Sequence, residues 1–351
     1  LIMVINFTPS PQISTIVRSI FSKSSSGDSW KRGGDSVIAT FYSRGMSTLH
    51  EGVIQILAAK KKNTGVVWLP DYYCNDTLTP LRTQEITLRF YPVLRNLTPD
   101  WNSIEDQIKL NGIADIFILV HYFGFPSPTQ KAIGFCYNNG MILIEDGAHV
   151  LIPSEGIGDK NMIIYSPRKL LSIPEIGILL SSKSLSKEQQ NKKLNLGFLF
   201  IFKWLLKRIV QKLLKILNIN WHSLKENSVS NNTPDTKLQL PNKLSMQLLK
   251  VYEKKLNIYG DKRRNNYLRL ETLIHGLETI EPLFKKLPNG IIPYMLPIIV
   301  RNHHFEIKGG LKNKGIPASS WPDIPPEVIE SGGGHDHALW LNQHLLLLPI
   351  H

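Results

Sequence analysis

From residue 36 onward, short apolar runs alternate with longer stretches patterned for helices. That alternation restricts the fold more than any other feature of the 351-residue chain. Val66–Leu69, Ile86–Phe90, Ile116–Val120 and Met141–Ile144 are rich in β-branched and apolar residues and short enough to be buried strands. Between them, Ser47–Lys60, Ser103–Leu110 and Thr129–Asn138 carry helical spacing. Strands apolar on both faces and separated by helices predict an α/β fold whose mostly parallel sheet is covered on both sides. Ligands of such sheets bind beyond the carboxyl ends of the strands, where Asp146 and His121 fall.

One pair of residues at those strand ends suggests a chemistry. Met141–Ile144 runs into Glu145-Asp146-Gly147-Ala148-His149, and Tyr165-Ser166-Pro167-Arg168-Lys169 follows about twenty residues later. A carboxylate ending a buried strand and a lysine beside a hydroxyl after the next strand suit an aldehyde cofactor such as pyridoxal phosphate. The lysine amine attacks the aldehyde, the aspartate keeps the pyridine nitrogen protonated, and Ser166 is available to the phosphate. Each residue also has a plainer reading, since an aspartate at a strand end often caps a helix and Lys-Leu-Leu is common in amphipathic segments. Arg168, adjacent to the lysine, is expected to point away and to serve charge balance or the surface.

The remaining chain divides into an irregular N-terminal segment (1–35), a large domain (36–190), a basic amphipathic insertion with a loop (191–235), and a long helix with a smaller C-terminal α+β domain (236–351). In the insertion, residues 198–217 form a helical pattern with cations at 203, 207, 208, 212 and 215 on one half. Packing against its own domain or a second subunit is one reading, and an interfacial helix on an anionic membrane is the other. The last part is expected to hold one helix from Ser245 to about Leu277, then strands at Ile291–Val300 and Leu345–Ile350.

Composition sets outer bounds. With 42% hydrophobic and 20% charged residues, the chain suits a soluble globular protein with a sizeable core. Two cysteines, Cys74 and Cys136, supply neither a disulfide framework nor an iron–sulfur cluster, which favours a reducing compartment, the cytoplasm. The formal charge of +13 would fit nucleic acid, yet zinc-finger spacing and an aromatic-rich RNA-binding signature are both missing. A phosphorylated substrate or an acidic membrane surface accounts for the charge as well. No stretch of eighteen uncharged apolar residues is present, and the N-terminus is a poor signal peptide.

Several segments together resemble the DegT-type family of nucleotide-sugar aminotransferases. Tyr42-Ser43-Arg44-Gly45-Met46-Ser47 is similar to the family's glycine loop and helix start, where backbone amides meet the cofactor phosphate. Leu69–Cys74 resembles its proline-and-aromatic strand end, His121–Pro126 its His-x-x-Gly-x-Pro turn, and Glu145–His149 its Glu-Asp-Ala-Ala-His segment. Lys169–Gly177 is similar to the run from its cofactor lysine to its Glu-Gly-Gly, and Lys314-Gly315-Ile316 and Trp321 echo its small domain. The chain departs from the pattern at Met46, where the family has threonine or serine, and at Cys74, where a stacking ring is expected and Tyr73 or Tyr72 stands nearby. The family's Asn-x-Arg substrate loop is not recognisable.

The resemblance implies a fold type I pyridoxal-phosphate transferase, acting as a homodimer. Lys169 would be catalytic, and Gly45, Met46, Ser47, Tyr73, Asp146, His149 and Ser166 would bind pyridoxal 5'-phosphate, with no metal. The implied reaction is amination of a keto sugar, nucleotide-linked, by an amino donor, for a polysaccharide or glycoconjugate. Two alternatives stay open: a non-catalytic protein that kept this fold, and a membrane-associated binding module.

Overall fold

The predicted alternation becomes a seven-stranded sheet in a computed structural model that describes residues 9, 11–32, 36–158, 162–182, 203–208, 210 and 240–351. Its strands are β1 (Val37–Tyr42), β2 (Gly65–Pro70), β3 (Ile86–Tyr91), β4 (Ile116–Val120), β5 (Ile142–Gly147), β6 (Met162–Tyr165) and β7 (Gly177–Ser182), in the order β1-β7-β6-β5-β4-β2-β3. Strands β2 to β6 pair in parallel, and β7 runs antiparallel to both of its neighbours, β6 and β1. All five residues of β4 and all four of β6 are buried, as expected for strands covered on both faces. Asp146 pairs with Val120 on one side and Ile164 on the other, so it sits at the carboxyl end of a central strand.

The helices between these strands are α2 (Gly45–Ala59), α3 (Asn75–Arg82), α4 (Trp101–Asn111) and α5 (Thr129–Asn138). Helix α2 lies across β5, β6 and β7. Its approach depends on Gly177, where a Cβ would stand 2.2 Å from Thr48 Oγ1 and 2.8 Å from the Arg44 carbonyl oxygen. Any side chain at 177 would push the first turn of α2 off the sheet. Gly124 plays the same part at the turn after β4, with φ +89° and a Cβ position 2.6 Å from the Ile292 carbonyl.

The N-terminal segment is less irregular than expected, because α1 (Ile13–Ile20) is helical and packs on α6 (Lys243–Glu253). The single long helix expected from Ser245 is two: α6 and α7 (Leu256–Ile274), separated where Lys255 leaves the helical range at φ −127°, ψ 10°. The strand expected over Ile291–Val300 shortens to β9 (Leu296–Val300), because Tyr294 N–H is drawn instead to the Phe123 carbonyl at 2.7 Å. With β8 (Ile280–Pro282) and β10 (Leu345–Leu348), β9 forms a three-stranded antiparallel sheet flanked by α8 (His304–Asn313), α9 (Pro326–Ile329) and α10 (Asp336–His344).

Of the amphipathic pattern over 198–217, only 203–208 and 210 are described; residues 203–208 are helical, Trp204 packs against the core, and Leu206 is exposed. The rest of that pattern, like the loop at 227–234, lies outside the described residues. Among the described residues no helix is long and apolar enough to cross a membrane.

Candidate active site

The carboxyl ends of β5 and β6 open on a cavity of about 240 Å³ that brings together Gly45, Met46, Tyr73, Asp146, His149, Ser166 and Lys169. Ser47 is not among its lining residues and sits buried in the first turn of α2. Cys74, Arg44, Arg168 and Trp321 complete much of the wall. Arg168 lines this cavity beside Lys169 and at the same time stays exposed, in keeping with the surface role expected of it. The tight 3-10 turn Pro167–Lys169 presents both to one space.

Lys169 and His149 form the centre. Lys169 Nζ lies 3.1 Å from His149 Nε2, while Phe123 N–H donates to His149 Nδ1 at 3.3 Å. A neutral imidazole that accepts at Nδ1 carries its proton at Nε2, so Nζ is the acceptor of the second bond. Only an unprotonated amine can accept. Burial pulls Lys169 below the ordinary lysine range, with Arg168 adding to the effect and Asp146 opposing it. Burial also pushes His149 well below the usual histidine value, and the neighbouring lysine reinforces this. The hydrogen-bond geometry calls for a neutral pair, and both shifts run in that direction.

At one end of the cavity stands Asp146. Tyr73 donates its hydroxyl to Oδ2 at 2.6 Å, and Ala148 N–H donates to Oδ1 at 2.9 Å. Burial, then the Asp146 charge, push the Tyr73 phenol well above its ordinary range, so Tyr73 remains a donor. Each carboxylate oxygen keeps a lone pair for a further donor. At the other end, no side chain caps α2, whose first turn offers free N–H groups and the positive end of the helix dipole. Ser166 Oγ is buried there without a hydrogen-bond partner, 3.4 Å from where a Cβ on Gly45 would stand.

This bipolar layout matches a phosphorylated pyridine aldehyde group by group. An anion would find donors at α2 and Ser166, a ring N–H an acceptor in Asp146, and an aldehyde the amine of Lys169. The buried hydroxyl without a partner is the feature a phosphate oxygen would satisfy. The residues present fit that cofactor. Among the described residues no cluster of three or more His, Cys, Asp or Glu side chains could hold a metal ion.

Other site features escaped the sequence reading. The His149 ring lies parallel to Tyr294 (centroids 4.6 Å apart, 7° between planes) and to Phe123 (5.7 Å, 9°), with Trp321 edge-on at 5.1 Å. Arg263, from α7, is buried, and its guanidinium donates to the Tyr294 carbonyl at 2.8 Å and the Leu170 carbonyl at 2.9 Å. It thus ties the residue after the lysine to the ring stacked on the histidine. Burial brings its pKa down to about 10, still charged at neutral pH. In the sequence Arg263 is hidden in the basic run Lys262-Arg263-Arg264, with nothing to separate it from its neighbours. His121, placed at a strand end as expected, is committed elsewhere. Ser127 N–H donates to its Nδ1 at 3.1 Å, and its Nε2 lies 2.8 Å from buried Glu145.

No family model matches the sequence, and no curated protein matches it. Solved structures do match, across nearly the whole chain. An aminotransferase, TlmJ, from Streptoalloteichus hindustanus is 15% identical, with 99% of this chain and 93% of that chain covered and a TM-score of 0.69. NtdA from Bacillus subtilis, solved with the cofactor PMP bound, is 16% identical over 100% of this chain and 81% of its own, with a TM-score of 0.68. The sugar aminotransferase CalS13 from Micromonospora echinospora is 15% identical over 100% and 95%, with a TM-score of 0.63. At such identities the likeness concerns architecture: this chain has the fold of the sugar aminotransferases, from its first described helix to its last strand.

Proposed function

We propose that this protein is a pyridoxal-phosphate-dependent aminotransferase that aminates a keto sugar, nucleotide-linked, from an amino donor. The observation that carries this reading is the Lys169–His149 contact at 3.1 Å, set between a buried carboxylate and an uncapped helix start in one cavity. The fold shared with sugar aminotransferases supports the choice of substrate class. A homodimer in the cytoplasm, serving polysaccharide or glycoconjugate synthesis, completes the proposal. Within it, residues 36–190 carry the cofactor site and 236–351 close over it.

When bound, the cofactor supplies the electron sink that lets a substrate C–H bond ionise. The protein's own groups do the rest. Ser166 Oγ and the first-turn amides of α2 would hold the phosphate, and Asp146 would keep the ring nitrogen protonated through a charge-assisted hydrogen bond. Tyr73 and Ala148 N–H fix the Asp146 carboxylate in that orientation. Lys169 Nζ, whose pKa burial lowers, would take a proton from one carbon and return it to another, acting as base and then acid. His149 Nε2–H orients Nζ for both transfers. Trp321 and Tyr294 wall the histidine off from water, which strengthens each of these interactions.

Reconstituting the purified protein with pyridoxal phosphate tests the reading. A near-visible absorption band is expected, and borohydride reduction should fix the cofactor on Lys169, identified by peptide mapping. Labelling of a different lysine, or no bound cofactor, overturns it.

A further inference from the structure

Two cations in the cavity have no part in the chemistry above. Arg44 is the residue before α2, extended at φ −142° and ψ 156°, and its side chain does not cap the helix. Arg168 lies two residues beyond Ser166, in the 3-10 turn that carries Lys169. Both line the cavity next to Gly45, Met46 and Ser166. Neither guanidinium makes a hydrogen bond or ion pair with another described residue, while the Arg44 carbonyl accepts from Thr48 N–H and Oγ1. Desolvation and then the like charge of Arg44 lower the Arg168 guanidinium, although both arginines keep solvent contact at the cavity wall. Two like charges at one end of a site repel, a repulsion that solvent screens in part and an anion between them relieves.

Three further observations converge on the same spot. The first turn of α2, a fifteen-residue helix, has no capping side chain. The Ser166 hydroxyl, 1% exposed, has no partner and lies in contact range of Gly45. Met46, within that first turn, contributes a thioether, which has no hydrogen to donate to an anion. Two guanidiniums carry +2, the charge that a phosphate monoester near neutral pH balances.

We propose that Arg44 and Arg168 form a cation pair that clamps a phosphoryl dianion against the first turn of α2, together with Ser166. Recognition at this end of the cavity is thereby driven by charge, in place of the hydroxyl that Met46 lacks. The proposal rests on the pyridoxal-phosphate reading and assigns the phosphoryl group to that cofactor. A diphosphate on the substrate offers the same chemistry, and the experiment separates the two.

The measurement compares binding of pyridoxal phosphate, pyridoxal and inorganic phosphate to the cofactor-free full chain and to Arg44→Met, Arg168→Met and the double variant. The unaltered protein should prefer pyridoxal phosphate over pyridoxal by on the order of a hundredfold or more, weakening as salt is raised. Each single change should cut that preference by roughly tenfold, and the double change should remove most of it, with pyridoxal affinity unchanged. An unchanged preference in the double variant overturns the proposal. So does a double variant that keeps the preference but loses competition by a nucleoside diphosphate against the loaded protein, because the pair would then serve the substrate. If neither pyridoxal nor its phosphate binds, the cofactor reading fails on its own. Inorganic phosphate then decides the clamp: raising the melting temperature of the unaltered protein and not of the double variant upholds it, and no difference between them overturns it.

Discussion

Lys169 stands between two surfaces of different origin. Its floor, with Asp146, His149 and Ser166, comes from consecutive strand ends between residues 142 and 169. Its wall, with Tyr294, Trp321 and the buttress of Arg263, comes from elements more than ninety residues further along. The floor inherits its rigidity from the sheet, since β5 is locked between β4 and β6 by parallel pairing. The wall is held by particular side chains. Tyr72 donates its hydroxyl to the Trp321 carbonyl, His335 Nδ1 lies 3.0 Å from Asp71 Oδ2, and Arg82 makes two 2.7 Å bonds to Glu327. The contrast separates two tasks: strand ends carry the reacting groups, while the imported wall sets how dry and how well aligned they are.

The comparison can be broken first at the floor. Lys169→Ala should lower turnover by at least about 10⁴-fold with the fold intact, because the nucleophile and proton carrier are both removed. Steady-state rates together with circular dichroism check this, and retained turnover would sink the floor's role. Asp146→Asn should reduce transition-state stabilisation by roughly 3 kcal/mol, since the shape stays and the charge goes. Near-normal kcat in that variant would remove Asp146 from the chemistry.

Changes at the wall should be smaller. Arg263→Met would leave two buried carbonyls unpaired, for a loss of about 2 kcal/mol in stability, offset in part by removing a buried cation. If Arg263 positions the pair, its loss should also lower the bound cofactor's absorbance and shift the pH profile, with Arg263→Lys restoring part of both. Unchanged spectra would make it structural only. Tyr294→Leu, which keeps bulk and loses the parallel ring on His149, should cost about 1 kcal/mol in urea unfolding.

The pH dependence of the cofactor-free protein offers a gentler test. The Lys169 pKa is depressed in the folded state, so between that value and the ordinary value of 10.5 the unfolded chain binds a proton the folded chain does not. This group therefore makes stability rise with pH across that window. Lys169→Met should be the more stable protein at low pH, with its advantage shrinking as pH approaches 10.5, in melting temperatures measured across the range. A constant difference would mean that Lys169 is not held neutral.

The legible parts of the sequence follow the same division. Asp146, His149, Ser166 and Lys169 were readable because they share a short stretch with strand–turn spacing. Strands β2, β4 and β5 were readable because each contains an uninterrupted apolar run, and β3 because Ile86, Leu88 and Phe90 alternate with Thr87 and Arg89. Strands β1, β6 and β7 drew no boundaries in advance. Met162–Tyr165 has only four residues, too few for periodicity to distinguish strand from helix. The break between α6 and α7 has no glycine or proline to mark it, only Lys254-Lys255. Arg168 is exposed, as a surface role requires, and the 3-10 turn also sets it on the cavity that holds Lys169, since such a turn does not alternate as an extended chain does.

Hydrophobic pattern and local spacing by themselves determined an α/β sheet, the strand that ends in Asp146, and the lysine that faces it, because these depend on periodicities of a few residues. Tertiary structure alone decided that Tyr294 would lie on His149, that one cation of the run Lys262-Arg263-Arg264 would be buried against the Tyr294 backbone, and that Arg44 and Arg168 would line one cavity beside an uncapped helix start. Those outcomes rest on contacts between residues far apart in the chain, where packing, backbone carbonyls and shared burial select one partner among many chemically equal ones.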